Sequence, residues 1–179
     1  MAYQIDPNEI LLVNECIDGK RKAQKLLYEK YKDAMYTLAY RFTGSFEEAD
    51  DVLQDGFVQV FNSLESFKAE SSLGAWIKTI MVRSAMRTKS MSLGFEDIEQ
   101  IEDEHEIHWD SELTGEELEK AILNLSDGYR AVFTLIEIEG YRHHEVATLL
   151  NISEGTSKSQ LYNAKRILKK ELAFLMENL

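Results

Sequence analysis

The side chains best suited to chemistry gather between Ser153 and Lys170, in the run SEGTSKSQLYNAKRILKK. Five cations (Lys158, Lys165, Arg166, Lys169, Lys170) stand there against one anion, Glu154, with Gln160, Tyr162 and Asn163 interleaved. Cations neutralise phosphates, while amide and phenol groups hydrogen-bond to base edges, so the chemistry on offer is nucleic-acid recognition. Elsewhere the offer is thinner. His143, His144 and Glu145 are of acid-base type. Glu104, His105, Glu106 and His108 are of metal-ligand type, but near neighbours on a polar stretch converge poorly on one ion. No nucleophile motif, glycine-rich phosphate loop or metal spacing occurs, so the sequence points away from an enzyme and implies no cofactor and no metal.

The elements that must position the basic run are legible around it. Val146, Leu149 and Leu150 fit one face of a short helix, Asn151-Ile152-Ser153 interrupts it, and Leu161, Ala164 and Leu168 resume at helical spacing. That is a helix-turn-helix pattern. Ser153 is placed to cap the second helix. A plain amphipathic helix with a solvated basic face fits the same residues.

Composition bounds the rest. The chain has 179 residues, one proline and one cysteine, and no apolar run long enough to span a membrane. Its N-terminus, MAYQIDPNEI, is no signal peptide, so a cytoplasmic location without membrane insertion is expected. The net charge of −12 looks wrong for a nucleic-acid binder until it is located. Glu96 to Glu119 holds twelve acids and no Lys or Arg, leaving twenty acids and twenty bases elsewhere. Lys78 to Lys89 is a second basic stretch, with Lys78, Arg83, Arg87 and Lys89 and no acid. Local charge, not the total, governs attraction to phosphates within a Debye length.

In chain order, Asn8 to Cys16 reads as a short helix broken by Gly19, and Arg21 to Phe42 as a long one stopped by Gly44. Ser45 to Glu48 has capping-box spacing, and Ala49, Val52, Leu53, Gly56, Phe57, Val60 and Phe61 form an apolar stripe behind it. The opposite face carries Glu47, Asp50, Asp51, Gln54 and Asp55, among others. Trp76 falls with Leu73, Ile77 and Ile80, an expected core side. Met91 to Thr114 lacks helical periodicity and reads as a flexible acidic linker, with Ile107, Trp109 and Leu113 as local anchors.

Two stretches resemble one family. Leu118 to Leu172, through Leu125 to Arg130, Phe133 to Gly140, Glu145-Val146-Ala147, Gly155-Thr156 and Lys158-Ser159, resembles the promoter-binding C-terminal domain of bacterial extracytoplasmic-function (ECF) sigma factors. Leu27 to Lys89, through YEKY, LAYRFTGSFEEADDVLQDGFVQVF, SLESFKAESS and GAWIKTIMVRSAMRTK, is similar to their N-terminal core domain. The resemblance implies core RNA polymerase (β′ clamp and β subunits) and promoter DNA as partners, and an anti-sigma factor or another recruiting factor as a regulator. It implies clamp contacts at Asp51, Gln54 and Asp55. For opening the −10 element it implies a pocket wall of Phe67, Lys68, Ser71 and Ser72, with Lys78, Arg83, Arg87 and Lys89 along the backbone. For the −35 element it implies Gly155, Thr156, Lys158, Ser159, Gln160, Tyr162, Asn163, Lys165 and Arg166. The linker would thread through polymerase toward the active centre and the RNA exit path.

Departures limit the transfer. Arg83 and Arg87 stand where many members carry Asn and Asp, Ser157 where a core valine is usual, Gln160 where arginine is frequent, and Leu125-Ser126 where Leu-Pro is common. Base preferences therefore do not carry over, and a helper that places the protein on DNA becomes an expectation. The fold expected is all-α: a region 2-like domain over 1–90, an acidic linker over 91–114 and a region 4-like helix-turn-helix domain over 115–179. The alternative function is a helix-turn-helix regulator that does not engage polymerase, and a third is an interaction module that binds polymerase without initiating.

Overall fold

Helix boundaries follow local chemistry. In a computed structural model of the protein, residues 6–88 and 115–177 are described, with side chains as far as 173. Helix α1 (Pro7–Ile17) starts where Asp6 accepts the Asn8 amide at 2.9 Å, with Pro7 in its first turn. Helix α2 (Arg21–Thr43) ends at Gly44, left-handed at φ 71°, whose amide donates to the Tyr40 carbonyl at 2.7 Å. Helix α3 (Phe46–Ser63) follows at once: Ser45 Oγ accepts the Glu48 amide at 3.4 Å, and Glu47 and Glu48 place negative charge on its positive end. A 3₁₀ turn (Leu64–Ser66) and a loop lead to α4 (Leu73–Thr88), which Ser72 caps by accepting the Ala75 amide at 3.1 Å.

The stripe on α3 organises these four helices. Ala49, Val52, Gly56, Phe57 and Val60 are buried, against α2 and α4, with Leu27, Leu38, Phe42, Ile77 and Met81 completing the core. Met81 of α4 packs directly on α3: a Cβ on Gly56 would collide with its sulfur, itself buried. Helix α1 is pinned to α2 by a polar triad. Glu9 Oε1 accepts from Lys30 Nζ and from the Tyr31 hydroxyl, each at 2.7 Å. Lys30 holds the Glu9 carboxyl below its usual value, against the upward push of partial burial, and Tyr31 adds to the lowering. Desolvation, then Glu9, pushes the Tyr31 phenol up to about 12.

The remaining helices are α5 (Gly115–Asn124), α6 (Asp127–Phe133), α7 (His143–Leu150) and α8 (Glu154–Glu177), with a π turn at Thr134–Ile138 extending α6. Buried Arg130 donates to the Leu125 carbonyl at 2.7 Å, to the Leu123 carbonyl at 3.1 Å and to Asp127, tying the end of α5 to α6. Asn151, left-handed at φ 55°, makes the tight turn out of α7, and Ser153 caps α8 by accepting the Thr156 amide at 2.9 Å. Val146, Leu150, Leu161, Ala164 and Leu168 are buried between them, so the helix-turn-helix is present.

The chain divides into two compact units, Met1–Met91 and Ser92–Leu179, and no strand occurs among the described residues, as the all-α expectation required. Lys89, the acidic tract with Ile107, Trp109 and Leu113, and the Glu104–His108 cluster lie outside the described residues. Among the described residues no helix is long and apolar enough to cross a membrane.

Two of these contacts are open to direct tests of stability. Glu9→Gln lowers the melting temperature at pH 7. Because the folded carboxyl titrates below its ordinary value of 4.5, its contribution is complete above that value and fades as pH falls through the lowered one, so the gap between variant and wild type closes in acid melts. Gly56→Ala gains up to about 1 kcal/mol of helix propensity but overpacks a filled crossing at a cost of about 1–3 kcal/mol. A net loss is expected in chemical denaturation, and Met81→Ala in the same chain should make the two losses less than additive.

Candidate nucleic-acid and partner interfaces

On α3 the expected partner contacts share one outward face. Asp51, Gln54 and Asp55 are all exposed, with Glu47 and Asp50 beside them. Asp51 and Asp55 are one turn apart, so sealing Val52 and Gly56 in the core forces both carboxylates into solvent. Sequence reasoning missed what borders this face. A shallow hollow of about 490 Å³ opens next to it, lined by Tyr28, Leu53, Gln54, Phe57, Val58 and Phe61, with Asp50 at its edge.

The second site is the loop before α4. Lys68 and Ser71 are exposed, Phe67 and Ser72 half-buried. Ser72 Oγ is engaged as the helix cap, so it shapes the loop more than it offers a free group. Ala69 adopts φ 57°, a left-handed conformation that a residue with a side chain takes at some cost. Trp76 departs from the expected core position. It is only half-buried, and its ring lies against Phe67 with centroids 5.4 Å apart. At 3.6 residues per turn, Trp76, Ile80, Arg83 and Arg87 fall on one side of α4, and both arginines are exposed. The helix thus carries an aromatic pair at one end and two cations along the same line. Lys78 does not join them: it is half-buried and projects about 140° from Arg83 and about 180° from Arg87 around the helix. The expected cationic track therefore reduces, among described residues, to Arg83 and Arg87.

The third site is α8, where the nine expected residues separate. Gly155, Lys158 and Arg166 are exposed and Tyr162 and Lys165 half-buried. Lys165 is held by Glu137 of the π turn at 2.7 Å. Lys169, exposed, continues this stripe. Thr156, Ser159, Gln160 and Asn163 are buried. Ser159 Oγ donates to the Thr156 carbonyl and Asn163 Nδ2 to the Ser159 carbonyl, both at 3.0 Å, so two of these groups bond back onto their own helix. Ser157, fully buried, finds His143 Nδ1 at 2.9 Å and so links α7 to α8.

Comparison with known proteins places both units in one family. The sigma-70 region 2 model matches residues 27–90 and the sigma-70 region 4 model matches residues 115–168. The ECF RNA polymerase sigma factor SigE of Mycolicibacterium smegmatis is 30% identical over 158 residues, covering 82% of this chain and 60% of that protein. The chain thus spans about three-fifths of that relative's length. The ECF RNA polymerase sigma-E factor of Haemophilus influenzae is 26% identical, covering 98% of this chain and all of the relative. Among solved structures, the sigma factor RpoE of Bartonella quintana in complex with the anti-sigma factor NepR is 25% identical, with a TM-score of 0.57, covering 83% of this chain and 96% of that one. The chain belongs to the extracytoplasmic-function branch of the sigma-70 family, the factors that confer promoter recognition on RNA polymerase.

Proposed function

We propose that this sigma factor acts in the cytoplasm, without enzymatic activity of its own, by docking its acidic α3 face on the β′ clamp of core RNA polymerase and presenting α4 and α8 to promoter DNA. The observation that carries this reading is the separation of charge on the first unit: Asp51 and Asp55 project from α3, whereas Arg83 and Arg87 line α4. A carboxylate face attracts a basic protein surface and repels phosphate, so one small helical unit can hold polymerase and DNA by different sides.

At the −10 element, the Phe67–Trp76 pair is a surface on which an unstacked base can rest, and Arg83 and Arg87 follow the strand beyond it. Lys68 and Ser71 stand at the rim of that surface. At the −35 element, Gly155, Lys158, Tyr162 and Arg166 form the outward side of α8, and Lys165 joins them on leaving Glu137. Reading by Thr156, Ser159, Gln160 and Asn163 requires that their buried flank first be uncovered, so the free protein binds −35 duplex more weakly than the holoenzyme does. The Bartonella factor was solved with an anti-sigma protein bound, and a regulator of that kind is proposed for this chain as well.

Run-off transcription with purified core polymerase tests the assignment. The wild-type chain should direct initiation at defined sites, and the Asp51→Ala/Gln54→Ala/Asp55→Ala variant should neither co-purify with core nor initiate. Initiation by that variant at the wild-type level would sink the clamp assignment. Transcription from defined promoters with no additional protein would also remove the need for a recruiting factor. For α4, Arg83→Ala/Arg87→Ala should weaken holoenzyme binding to forked −10 DNA and lower the magnitude of the salt slope by about 1–2. Lys78→Ala, on the other side of the helix, should leave that slope unchanged.

A further inference from the structure

Of the cations on α8, Lys165 alone is held in an ion pair among the described residues. Its Nζ donates to Glu137 Oε1 at 2.7 Å, and the two side chains are 27% and 33% exposed. Lys158, Tyr162, Lys165 and Lys169 follow one another at intervals of four, three and four residues, so all four share one line along the helix. Lys158 and Lys169, on either side along that line, are exposed. A partly exposed ion pair contributes little to stability. Folding alone is therefore a weak reason to set an anion against a cation on the side proposed to face DNA.

Glu137 is itself firmly placed. It lies in the π turn Thr134–Ile138, whose first two residues, Thr134 and Leu135, are fully buried. Two wide backbone bonds close the turn: the Glu139 amide donates to the Thr134 carbonyl at 3.0 Å and the Tyr141 amide to the Leu135 carbonyl at 2.9 Å. Turns of this kind are rare in helices and are frequent at functional sites. A carboxylate on so fixed a backbone holds the lysine ammonium at one point in space. It occupies one of the three ammonium donors and leaves two for a phosphate. A lysine on a free stem is a mobile point charge, so it meets phosphates in many registers. A lysine held at one point meets a phosphate only when the helix is seated in one position, which turns a backbone contact into a test of register.

We propose that Glu137 is a positioning residue for −35 selectivity: it holds Lys165 where the lysine reaches a backbone phosphate when α8 is seated on its own element, and withholds it from phosphates of other duplex. This rests on the −35 assignment of α8 and deepens it. Glu137 acts through Lys165 and need not touch DNA itself.

The test uses holoenzyme reconstituted from full-length protein and core polymerase, on two duplexes that share a −10 element and differ in the −35 half. One half is enriched from a random library by the wild type, and the other is scrambled. Affinities are measured over a salt series. On the scrambled duplex Glu137→Gln should tighten binding about three- to tenfold near about 0.1 M salt and raise the magnitude of the salt slope by about 0.9, the value of one added phosphate contact. On the enriched duplex it should bind within about twofold of wild type, so the specificity ratio falls. Melting curves check that each variant is folded. In a Lys165→Ala background the same Glu137→Gln change should alter neither slope nor selectivity, an outcome that simple repulsion by the carboxylate, or a merely structural role, does not give. If Glu137→Gln leaves selectivity unchanged, or lowers it equally without Lys165, the positioning inference is overturned while the −35 assignment stands. If the library yields no preferred upstream sequence, the −35 assignment falls and this inference falls with it.

Discussion

The packing of Met81 of α4 onto Gly56 of α3 is the constraint from which the first unit's surfaces follow. A side chain at that position would meet buried Met81, whose own side chain packs directly on the α3 backbone there. With Ala49, Val52, Gly56 and Val60 thereby fixed inward, helical geometry leaves Asp51 and Asp55 no direction but outward. The same packing orients α4, turning Ile77 and Met81 into the core and setting Trp76, Arg83 and Arg87 on a common outer line. The magnitudes support this order of cause. A buried aliphatic side chain contributes about 1.5–3 kcal/mol, whereas like charges one turn apart on a helix cost only a few tenths. The core can therefore dictate the acidic face at small cost to stability.

In the second unit the organising element is polar. Arg130 is buried, and an unpaired guanidinium there would cost several kcal/mol. Its two terminal nitrogens instead meet the carbonyls of Leu123 and Leu125 at the end of α5, and Asp127 in the first turn of α6. One cation thus satisfies a helix terminus and sets the angle between two helices. The His143–Ser157 bond does the equivalent for α7 and α8. A hydroxyl in a fully buried position is tolerable because a ring nitrogen stands 2.9 Å away. These two polar ties hold α5 to α6 and α7 to α8.

Helix positions were largely legible in the sequence because caps and stops are local: Ser45, Ser153, Gly19 and Gly44 each act through groups a few residues away. The α3 stripe was legible for the same reason. Residues that answer to two neighbours were not. Trp76 has the period of a core residue, yet it faces Phe67 at the core's margin, and only the loop's path reveals that. Lys78 shares a basic stretch with Arg83 and Arg87 but not their side of the helix, since proximity in sequence and charge sign both ignore angle. On α8, polarity marked Thr156, Ser159, Gln160 and Asn163 as available, and burial says otherwise, because polar type does not report what covers a residue. The Tyr40–Phe46 stack escaped notice because it joins the end of one helix to the start of the next, across a turn that breaks the helical period.

The arrangement of charge and aromatic surface on α2 and α3 also bears on how an abundant, weakly selective attraction becomes a durable complex. Exposed carboxylates act over about a Debye length and mainly accelerate encounter, with little net affinity once water and salt compete. Apolar contact acts only at van der Waals distance and mainly slows departure. On α3 the two are laid in adjacent lines, Glu47, Asp51 and Asp55 beside Phe46 and Val58. A nucleic acid approaching this face of α3 meets carboxylates that repel its phosphates.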